Sequence, residues 1–332
     1  MSNYLCICLS PTLQRTVEFG SFQKNAVNRA KKYRLDASGK AVNSARVLSQ
    51  LIQASGDFSG DAAGSVTGKL SGTGTECLSK NCKSAVRVLC PLGKMNSPEF
   101  CELAERDKLD VRSVQIPGRV RECLTLLDSN GGTTEVVCPE PASENEFSGE
   151  AEAFLSALSE ELEKCDAVLF AGSTPPGYKE DFVSRISEKI AASKKVFLAD
   201  FQGKMLLNAL SVCTPDIIKI NEEEFCSTFL KQGSGPLRED ELKALIIQKS
   251  TELKNKIVVT RGEKSTFAAD NGNFLEVQSE KVQAVNTTAC GDSFSAGFLY
   301  QFVETGDFAA ALEKGAWCAS RNAESVVPGT IF

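Results

Sequence analysis

Near its end the chain reads Asn286-Thr287-Thr288-Ala289-Cys290-Gly291-Asp292-Ser293-Phe294, a turn that joins a predicted strand to the amphipathic stretch 293–302. Small residues fill the turn, and the carboxyl group of Asp292 stands where the helix should begin. The first N–H groups of a helix have no partner within it, so they attract anions. An acid in that place can take a proton from a hydroxyl group while the N–H groups hold the charge on a transferred phosphoryl group. The alternative for the turn alone is an ordinary capped loop.

The composition limits the classes of protein to consider. A chain of 332 residues can bury a large core, and 42% hydrophobic with 24% charged residues is ordinary for a soluble globular protein. The net charge of −6 gives no overall support for a nucleic-acid or acidic-membrane partner. Residues 1–9 resemble a strand more than a signal peptide, and no apolar run approaches the roughly 20 residues of a membrane span. We therefore expect a cytoplasmic protein with neither kind of partner.

Histidine is absent from the sequence. This excludes Ser-His-Asp and Cys-His catalysis, histidine general bases and histidine metal ligands. Any proton transfer must use a carboxylate, lysine, cysteine or tyrosine, and Asp292 is the best placed of these groups.

Apolar runs of strand length alternate with longer segments of helical period, which predicts an α/β fold with a mostly parallel sheet covered by helices. The predicted central strands are 4–8, 85–90, 167–171, 195–199, 217–220 and 256–260. The predicted helices are 41–53, 98–107, 150–164, 180–192, 222–231, 239–254, 293–302 and 308–326.

Two regions interrupt this alternation. Short, polar strands are predicted near 12–36 (15–19 and 30–35) and near 119–138 (122–128 and 133–137). They form either a small sheet that stands off the main domain as a lid, or an extension of the main sheet's edge. Residues 54–83 are rich in Gly, Ser and Thr and are predicted to be a surface insertion.

A second informative run is Asp36-Ala37-Ser38-Gly39-Lys40-Ala41-Val42-Asn43-Ser44-Ala45-Arg46, at the start of the first predicted helix. Gly39 lets a ligand approach the backbone closely, and Lys40 offers a point charge to phosphate. Asn43 can both donate to and accept from sugar hydroxyl groups. The alternative is a plain helix cap with a solvated Lys40, and Arg46 could likewise be solvated.

These runs resemble the signatures of PfkB-type sugar kinases of the ribokinase-like superfamily, most closely the 1-phosphofructokinase and tagatose-6-phosphate kinase group. That group typically reads Asp-Ala-Gly-Gly-Lys-Gly-x-Asn before a helix, like residues 36–43, and Asp-Thr-Thr-Gly-Ala-Gly-Asp-x-Phe near its end, like residues 286–294. Residues 168–177, 219–224 and 258–262 resemble further family motifs in the same order. The resemblance spans almost the whole chain apart from 54–83, and motifs in order are far more specific than any one alone.

The resemblance implies a single ribokinase-like kinase domain over residues 1–332, a three-layer sandwich with a protruding β-sheet lid, that uses ATP and Mg²⁺. It implies that Asp292 is the general base and that the N–H groups of Ala289, Cys290, Gly291 and Asp292 hold the γ-phosphate. The implied substrate contacts are Gln14, Ser38, Gly39, Lys40, Asn43 and Arg121. The implied nucleotide and metal contacts are Asn221, Thr260, Gly262 and Asn322, with Glu224 for Mg²⁺ and its waters.

Lys40 and Arg121 together favour an acceptor that already carries a phosphate, such as fructose 1-phosphate or tagatose or fructose 6-phosphate. The alternatives are a kinase for an unphosphorylated sugar, polyol or nucleoside, and a kinase-like protein that binds these ligands without catalysis. Gln14 and Asn286 each stand where the group has Asp, and Ala289 stands where it has Gly, which keeps the last alternative open. A homodimer through the lid is a further expectation, since pairing would cover an apolar lid face.

Overall fold

The structure is a computed structural model, and it describes residues 2–56, 85–130, 132–139, 146–230 and 235–332. The insertion predicted at 54–83 lies outside these residues from position 57 onward. The strands are β1 (Tyr4–Cys8), β2 (Thr12–Phe19), β3 (Lys32–Ser38), β4 (Val86–Gly93), β5 (Asp110–Ile116), β6 (Arg121–Asp128), β7 (Thr133–Val137), β8 (Ala167–Ala171), β9 (Val196–Asp200), β10 (Ile217–Asn221), β11 (Lys256–Thr260), β12 (Thr266–Asp270) and β13 (Asn273–Val277). The helices are α1 (Lys40–Gly56), α2 (Ser97–Arg106), α3 (Ser148–Leu162), α4 (Phe182–Ala192), α5 (Gly203–Leu210), α6 (Glu222–Phe229), α7 (Glu239–Leu253), α8 (Cys290–Thr305) and α9 (Phe308–Ala323).

The main sheet has nine strands in the order β13-β12-β11-β10-β9-β8-β1-β4-β5. All neighbours from β11 to β5 are parallel, whereas β12 and β13 join antiparallel at one edge. The predicted mostly parallel sheet is therefore confirmed. Because the carboxyl ends of parallel strands share one edge, the segments that follow β1, β8, β9 and β10 meet above the same part of the sheet.

Both faces of this sheet are covered, which explains why its central strands are mostly apolar. Cys6 and Cys8 of β1 point into a core formed with α1, α2, α8 and α9. Leu5 and Ile7, on the opposite face of the same strand, point into a second core formed with α3 to α7. The result is a three-layer sandwich. No helix among the residues described is long and apolar enough to cross a bilayer.

The polar strands form a separate four-stranded sheet in the order β3-β2-β6-β7. β2 is antiparallel to β3 and parallel to β6, and β7 is antiparallel to β6. The prediction of a separate lid is confirmed over the alternative that these strands extend the main sheet. β2 begins at Thr12, before the predicted start at 15, and β3 ends at Ser38, beyond the predicted end at 35, so that Gln14 and Ser38 are lid-strand residues.

Several elements were not predicted: β5, α5, β12 and β13. β5 reads Asp-Val-Arg-Ser-Val-Gln-Ile at an edge of the sheet, where polar side chains are tolerated and hide the strand pattern. Helix ends also shift by a few residues, as for α9, which ends at Ala323 and not at 326. Such shifts are usual where local pattern alone sets the boundary.

Candidate active site

Helix α8 begins with the turn that opened the sequence analysis. The residue before it, Ala289, has φ of +67°, a left-handed conformation that is strained for any residue with a side chain. The N–H group of Cys290 donates to the carbonyl of Thr287 at 3.3 Å, so Cys290 is not a free donor, contrary to the prediction. Within the part of the chain that the structure describes, no group accepts from the N–H groups of Gly291 and Asp292. These two amides are the donors available to an anion.

Asp292 lies in the first turn of α8 and its residue is only 7% exposed. Asn43 Nδ2 donates to Asp292 Oδ2 at 2.8 Å, and Ser44 Oγ donates to the Asp292 carbonyl at 2.9 Å, so α1 and α8 are joined at their first turns. Burial raises the pKa of Asp292 to about 6, with a further increase from the charge of Asp200, while Lys40 and Asn43 oppose it. A carboxyl group with this pKa can take up a proton near neutral pH, as a general base requires.

A buried charge network lies behind Asp292. Asp200, at the end of β9, is fully buried and faces Lys219 Nζ at 3.1 Å and Lys40 Nζ at 3.3 Å. Burial opposes ionisation of Asp200, but Lys219 and Lys40 outweigh it and lower its pKa. Ser295 Oγ donates to Asp200 Oδ2 at 2.6 Å. The network holds two ammonium groups and two carboxylates within one site.

Lys219 connects this network to the anion-binding turn. Its ammonium group also donates to the carbonyl of Gly291 at 3.0 Å. Sequence reasoning gave no role to Asp200, Lys219 or Ser295. A signal existed for Lys219, because it is the one charged residue in the apolar strand β10, and a lysine there must be paired.

Lys40 follows a backbone position that requires glycine. Gly39 has φ of +122°, and a Cβ there would lie 2.8 Å from Cys8 Sγ and 3.1 Å from the Ser10 carbonyl oxygen. This close approach to the end of β1 aims Lys40 across the site, where Nζ also lies 3.3 Å from Glu224 Oε1. The charge of Asp200, opposed by burial, raises the pKa of Lys40 above its ordinary value, so the ammonium form persists.

A cavity of about 560 Å³ opens beside these groups, at the carboxyl ends of the central strands. Lys40, Arg121 and Glu224 line it together with the segments that follow β8 and β9. Arg121 is anchored to the lid, since its Nε donates to Thr12 Oγ1 at 3.0 Å. Lys40 and Arg121, predicted from distant parts of the sequence, therefore line the same cavity.

Three side chains predicted to contact ligands, or to be solvated, are engaged within the protein. Asn43 uses its amide nitrogen on Asp292 and its oxygen on Ser38 Oγ (2.9 Å), so we interpret Asn43 and Ser38 as residues that position the acid. Arg46 is not solvated: it is 7% exposed and donates to the Ala37 carbonyl and to Asp107.

Asn322 also differs from the prediction. It is 1% exposed, its Nδ2 donates to the Thr288 carbonyl at 2.8 Å, and its Oδ1 accepts from the Gly329 N–H at 2.7 Å. Its amide thus braces the turn and does not face a nucleotide. Burial raises the pKa of the neighbouring Cys290 thiol, which fits a small packing residue and not a reactive thiolate.

The remaining acceptor-side prediction, Gln14, lies on β2 and is 6% exposed. Its Nε2 donates to Thr125 Oγ1 on β6 at 3.0 Å. Among the predicted nucleotide contacts, Thr260 ends β11, the strand next to β10, and Gly262 lies just beyond that carboxyl end with φ of +63°. Neither Thr260 nor Gly262 lines the cavity, so their role with a nucleotide stays a prediction.

Asn221 and Glu224 form a capping box at the start of α6. Asn221 Oδ1 accepts from the Glu224 N–H at 2.8 Å, and Glu224 Oε2 accepts from the Asn221 N–H at 2.9 Å. Glu224 Oε1 points to the site, 3.3 Å from both Lys40 Nζ and Gln202 Nε2. No group of three or more acidic or thiol side chains that could hold a metal occurs among the described residues. One carboxylate fits Mg²⁺ that keeps several waters and phosphate oxygens, and does not fit an all-protein cage.

Comparisons with known proteins agree with this arrangement. Residues 9–330 match the model of the pfkB family carbohydrate kinases. Phosphofructokinase-2 from Escherichia coli in complex with potassium has a TM-score of 0.77 at 17% identity, covering 98% of this chain and 94% of that one. A candidate 1-phosphofructokinase from Thermotoga maritima gives 0.78 at 18% identity, covering 98% and 93%. The tetrameric inhibited form of the Escherichia coli protein gives 0.77 at 17%, covering 97% and 94%. At these identities the structures establish the fold, and the predicted three-layer sandwich with its lid is confirmed.

Proposed function

Because the chain belongs to the pfkB family of carbohydrate kinases, we propose that it transfers the terminal phosphoryl group of ATP to a hydroxyl group of a sugar phosphate. We further propose that residues 1–332 form one kinase domain. The observation that supports the reaction is Asp292: a buried carboxyl group with a pKa of about 6, beside two main-chain N–H groups that have no acceptor among the described residues.

The proposed reaction needs no covalent intermediate. Asp292 takes the proton of the acceptor hydroxyl as its oxygen attacks the terminal phosphorus, and the bond from that phosphorus to the bridging oxygen of ADP breaks. The N–H groups of Gly291 and Asp292 stabilise charge on the phosphoryl oxygens during transfer. Asn43 keeps the carboxyl group oriented, since its amide binds the oxygen Oδ2. Orientation of this kind supplies much of the rate of such reactions.

Carbohydrate kinases of this family use ATP, generally with Mg²⁺, which neutralises phosphate charge when bound. We propose that Glu224 Oε1 faces this ion through water, while Asn221 holds the other carboxylate oxygen in place. Lys219 lies against the carbonyl of Gly291 and is placed to keep the turn in register. Thr260 and Gly262 are proposed to line the nucleotide side.

The cavity supports a phosphorylated acceptor. Lys40 and Arg121 both line it, and the raised pKa of Lys40 keeps its ammonium form at neutral pH. An arginine presents a planar fork that matches phosphate, and a lysine adds a point charge. A sugar phosphate would bring an anion to these two cations, in addition to the Asp200 and Glu224 carboxylates that already pair with Lys40, whereas a free sugar would bring none to this cavity of about 560 Å³. Fructose 1-phosphate and fructose or tagatose 6-phosphate are the acceptors we propose.

Replacing Arg121 by methionine tests the acceptor class. We expect the KM for a sugar phosphate to rise roughly 10- to 100-fold, because a hydrogen bond to a charged group is worth about 1.5–3 kcal/mol. ADP release should be measured with fructose 1-phosphate, fructose 6-phosphate, tagatose 6-phosphate, ribose, inositol and nucleosides.

The matched control is Arg119→Met, a lid-edge arginine that does not line the cavity. If the wild-type protein prefers an unphosphorylated acceptor and Arg121→Met leaves its KM unchanged, the phosphorylated class is wrong. If ADP is released with none of these acceptors, the protein is a non-catalytic binder.

The lid also carries exposed apolar side chains, and we propose that a second copy of the chain covers them. Exposed large apolar residues on the lid strands are Tyr33 (56%), Val136 (44%) and Val137 (62%). β3 and β7 are the edges of this sheet, where unpaired strands invite association. Light scattering should report a dimer that Val137→Lys shifts to monomer. A monomeric wild-type protein at assay concentrations would contradict this.

A further inference from the structure

The hydroxyl group of Thr288 joins the anion-binding turn to the lid. Thr288 Oγ1 lies 2.6 Å from Glu135 Oε1 on β7 and 3.3 Å from Thr125 Oγ1 on β6. A carboxylate can only accept, so the Thr288 hydroxyl donates to Glu135. With its hydrogen used, Thr288 accepts from Thr125.

The chain of hydrogen bonds continues from Thr125 to the acceptor side. Thr125 Oγ1 gives its hydrogen to Thr288 and accepts from Gln14 Nε2 at 3.0 Å. The bonds thus run in one direction, from Gln14 through Thr125 and Thr288 to Glu135. Thr125 is fully buried, whereas Glu135 lies at the exposed end. One relay connects a proposed acceptor contact, two lid strands and the turn before α8.

Thr288 is itself held rigidly by its backbone. Its N–H donates to Asn286 Oδ1 at 3.0 Å, and its carbonyl accepts from Asn322 Nδ2 at 2.8 Å. The side chain is therefore offered from a fixed position, one residue before the strained Ala289 and three before Gly291. A lid strand that binds this hydroxyl is therefore held in a fixed position relative to the anion-binding amides.

We propose that Glu135 and Thr288 form a clasp that holds the lid closed over the cleft during phosphoryl transfer. Glu135 is a positioning residue: its carboxylate accepts a charge-assisted hydrogen bond that anchors the otherwise exposed strand β7. Closure excludes water, which would otherwise compete with the sugar hydroxyl for the terminal phosphoryl group and release ADP and inorganic phosphate. The inference rests on the proposed kinase function and adds the contact that couples the lid to the turn.

Glu135→Ala is the test, with Glu135→Gln as the conservative variant and Glu18→Ala as the control. Glu18 is a lid carboxylate that pairs with Lys32, away from the turn. Glu135→Ala should raise the acceptor KM roughly tenfold, with a smaller change in kcat. It should also increase ADP release in the absence of acceptor. Glu135→Gln should recover most of this loss, because its amide oxygen still accepts from Thr288 although without the charge of the carboxylate.

Thr288→Val should impair the protein at least as much as Glu135→Ala, because it also removes the acceptor of the buried Thr125 hydroxyl. Adding Glu135→Ala to Thr288→Val should change little, since the bond to Glu135 is already broken. Hydrogen–deuterium exchange of β7 gives a readout independent of activity: Glu135→Ala should lose protection there and Glu18→Ala should not. Equal exchange in these two variants, or a Gln variant as impaired as Ala, overturns the clasp. If the wild-type protein transfers phosphate to no acceptor, but β7 loses protection in Glu135→Ala and not in Glu18→Ala, the kinase proposal is wrong and the clasp is supported.

Discussion

Asp292→Asn should lower turnover roughly 10²–10⁴-fold, the range that a general base contributes. The amide cannot take the hydroxyl proton, but it has the same shape, and its oxygen can still accept from Asn43 Nδ2. Substrate KM values should therefore change much less than kcat. Steady-state ADP release at saturating substrates measures the effect.

Asp307→Asn is the matched control for this change. Asp307 caps α9 by accepting from the Ala310 N–H, and asparagine caps helices equally well. This variant should keep wild-type kinetics. If Asp292→Asn also kept near-wild-type turnover, the assignment of the base would be wrong.

The pH profile gives a second signature of Asp292. Because the pKa of Asp292 in the free enzyme is raised to about 6, the active carboxylate is lost as pH falls through 6, and kcat/KM should drop about tenfold for each further unit. The second pKa of an acceptor phosphate also lies near 6. The pH profile of the residual activity of Asp292→Asn distinguishes the two groups, because a decrease at acidic pH that persists in the variant comes from the substrate.

Asp292→Asn should not destabilise the fold, which separates its kinetic effect from unfolding. A carboxyl group whose pKa rises on folding is better ionised in the unfolded chain, so its charge costs stability above about pH 6 and nothing below about pH 4. The variant removes that cost at pH 7. Its free energy of unfolding should therefore equal or exceed that of the wild type.

The second large effect concerns stability: Lys219→Met should lower the free energy of unfolding by about 3 kcal/mol at pH 7. Lys219 and Asp200 are both nearly fully buried, and removal of one partner leaves an uncompensated charge. Lys40 and Ser295 still contact Asp200, which places the loss at the lower end of the usual range of about 3–5 kcal/mol. Denaturant unfolding measures it.

Two further variants define the cause of this loss. Asp200→Asn combined with Lys219→Met should recover most of the stability, because no buried charge is left without its partner. Lys256→Met, in the neighbouring strand, breaks a more exposed pair with Asp270 and should cost at most about 1 kcal/mol. A Lys219→Met loss no larger than that of Lys256→Met would mean that the buried pair does not stabilise the protein.

Local sequence was sufficient to predict a segment whose side chains all lie in the same environment. β1 and β8 are apolar at every position because both faces of the sheet are covered, and both were predicted to the residue. The position of Asp292 in the first turn of α8 could also be predicted, since the small residues of the turn mark the helix start. Which N–H groups are available to an anion could not be predicted, because the Cys290 N–H bonds back to Thr287.

Contacts between distant segments escaped sequence reasoning. Asn43 was predicted to bind sugar, yet it holds Asp292, 249 residues away in sequence. Asn322 was predicted to approach a base, yet it braces Thr288. A polar side chain beside a ligand and one that orients a ligand-binding group have the same chemistry. Only the packing of α1 and α9 against the turn distinguishes them.

The place of β1 inside the main sheet, between β8 and β4, has a consequence for biosynthesis. β1 leaves the ribosome well before β4 and long before β8, the two strands that flank it. Until both have been translated, an entirely apolar segment of the nascent chain has no partner. Such long-range pairing slows folding and favours aggregation of incomplete chains. Expression at low temperature, or with chaperones that shield the emerging strand, should improve the yield of native protein.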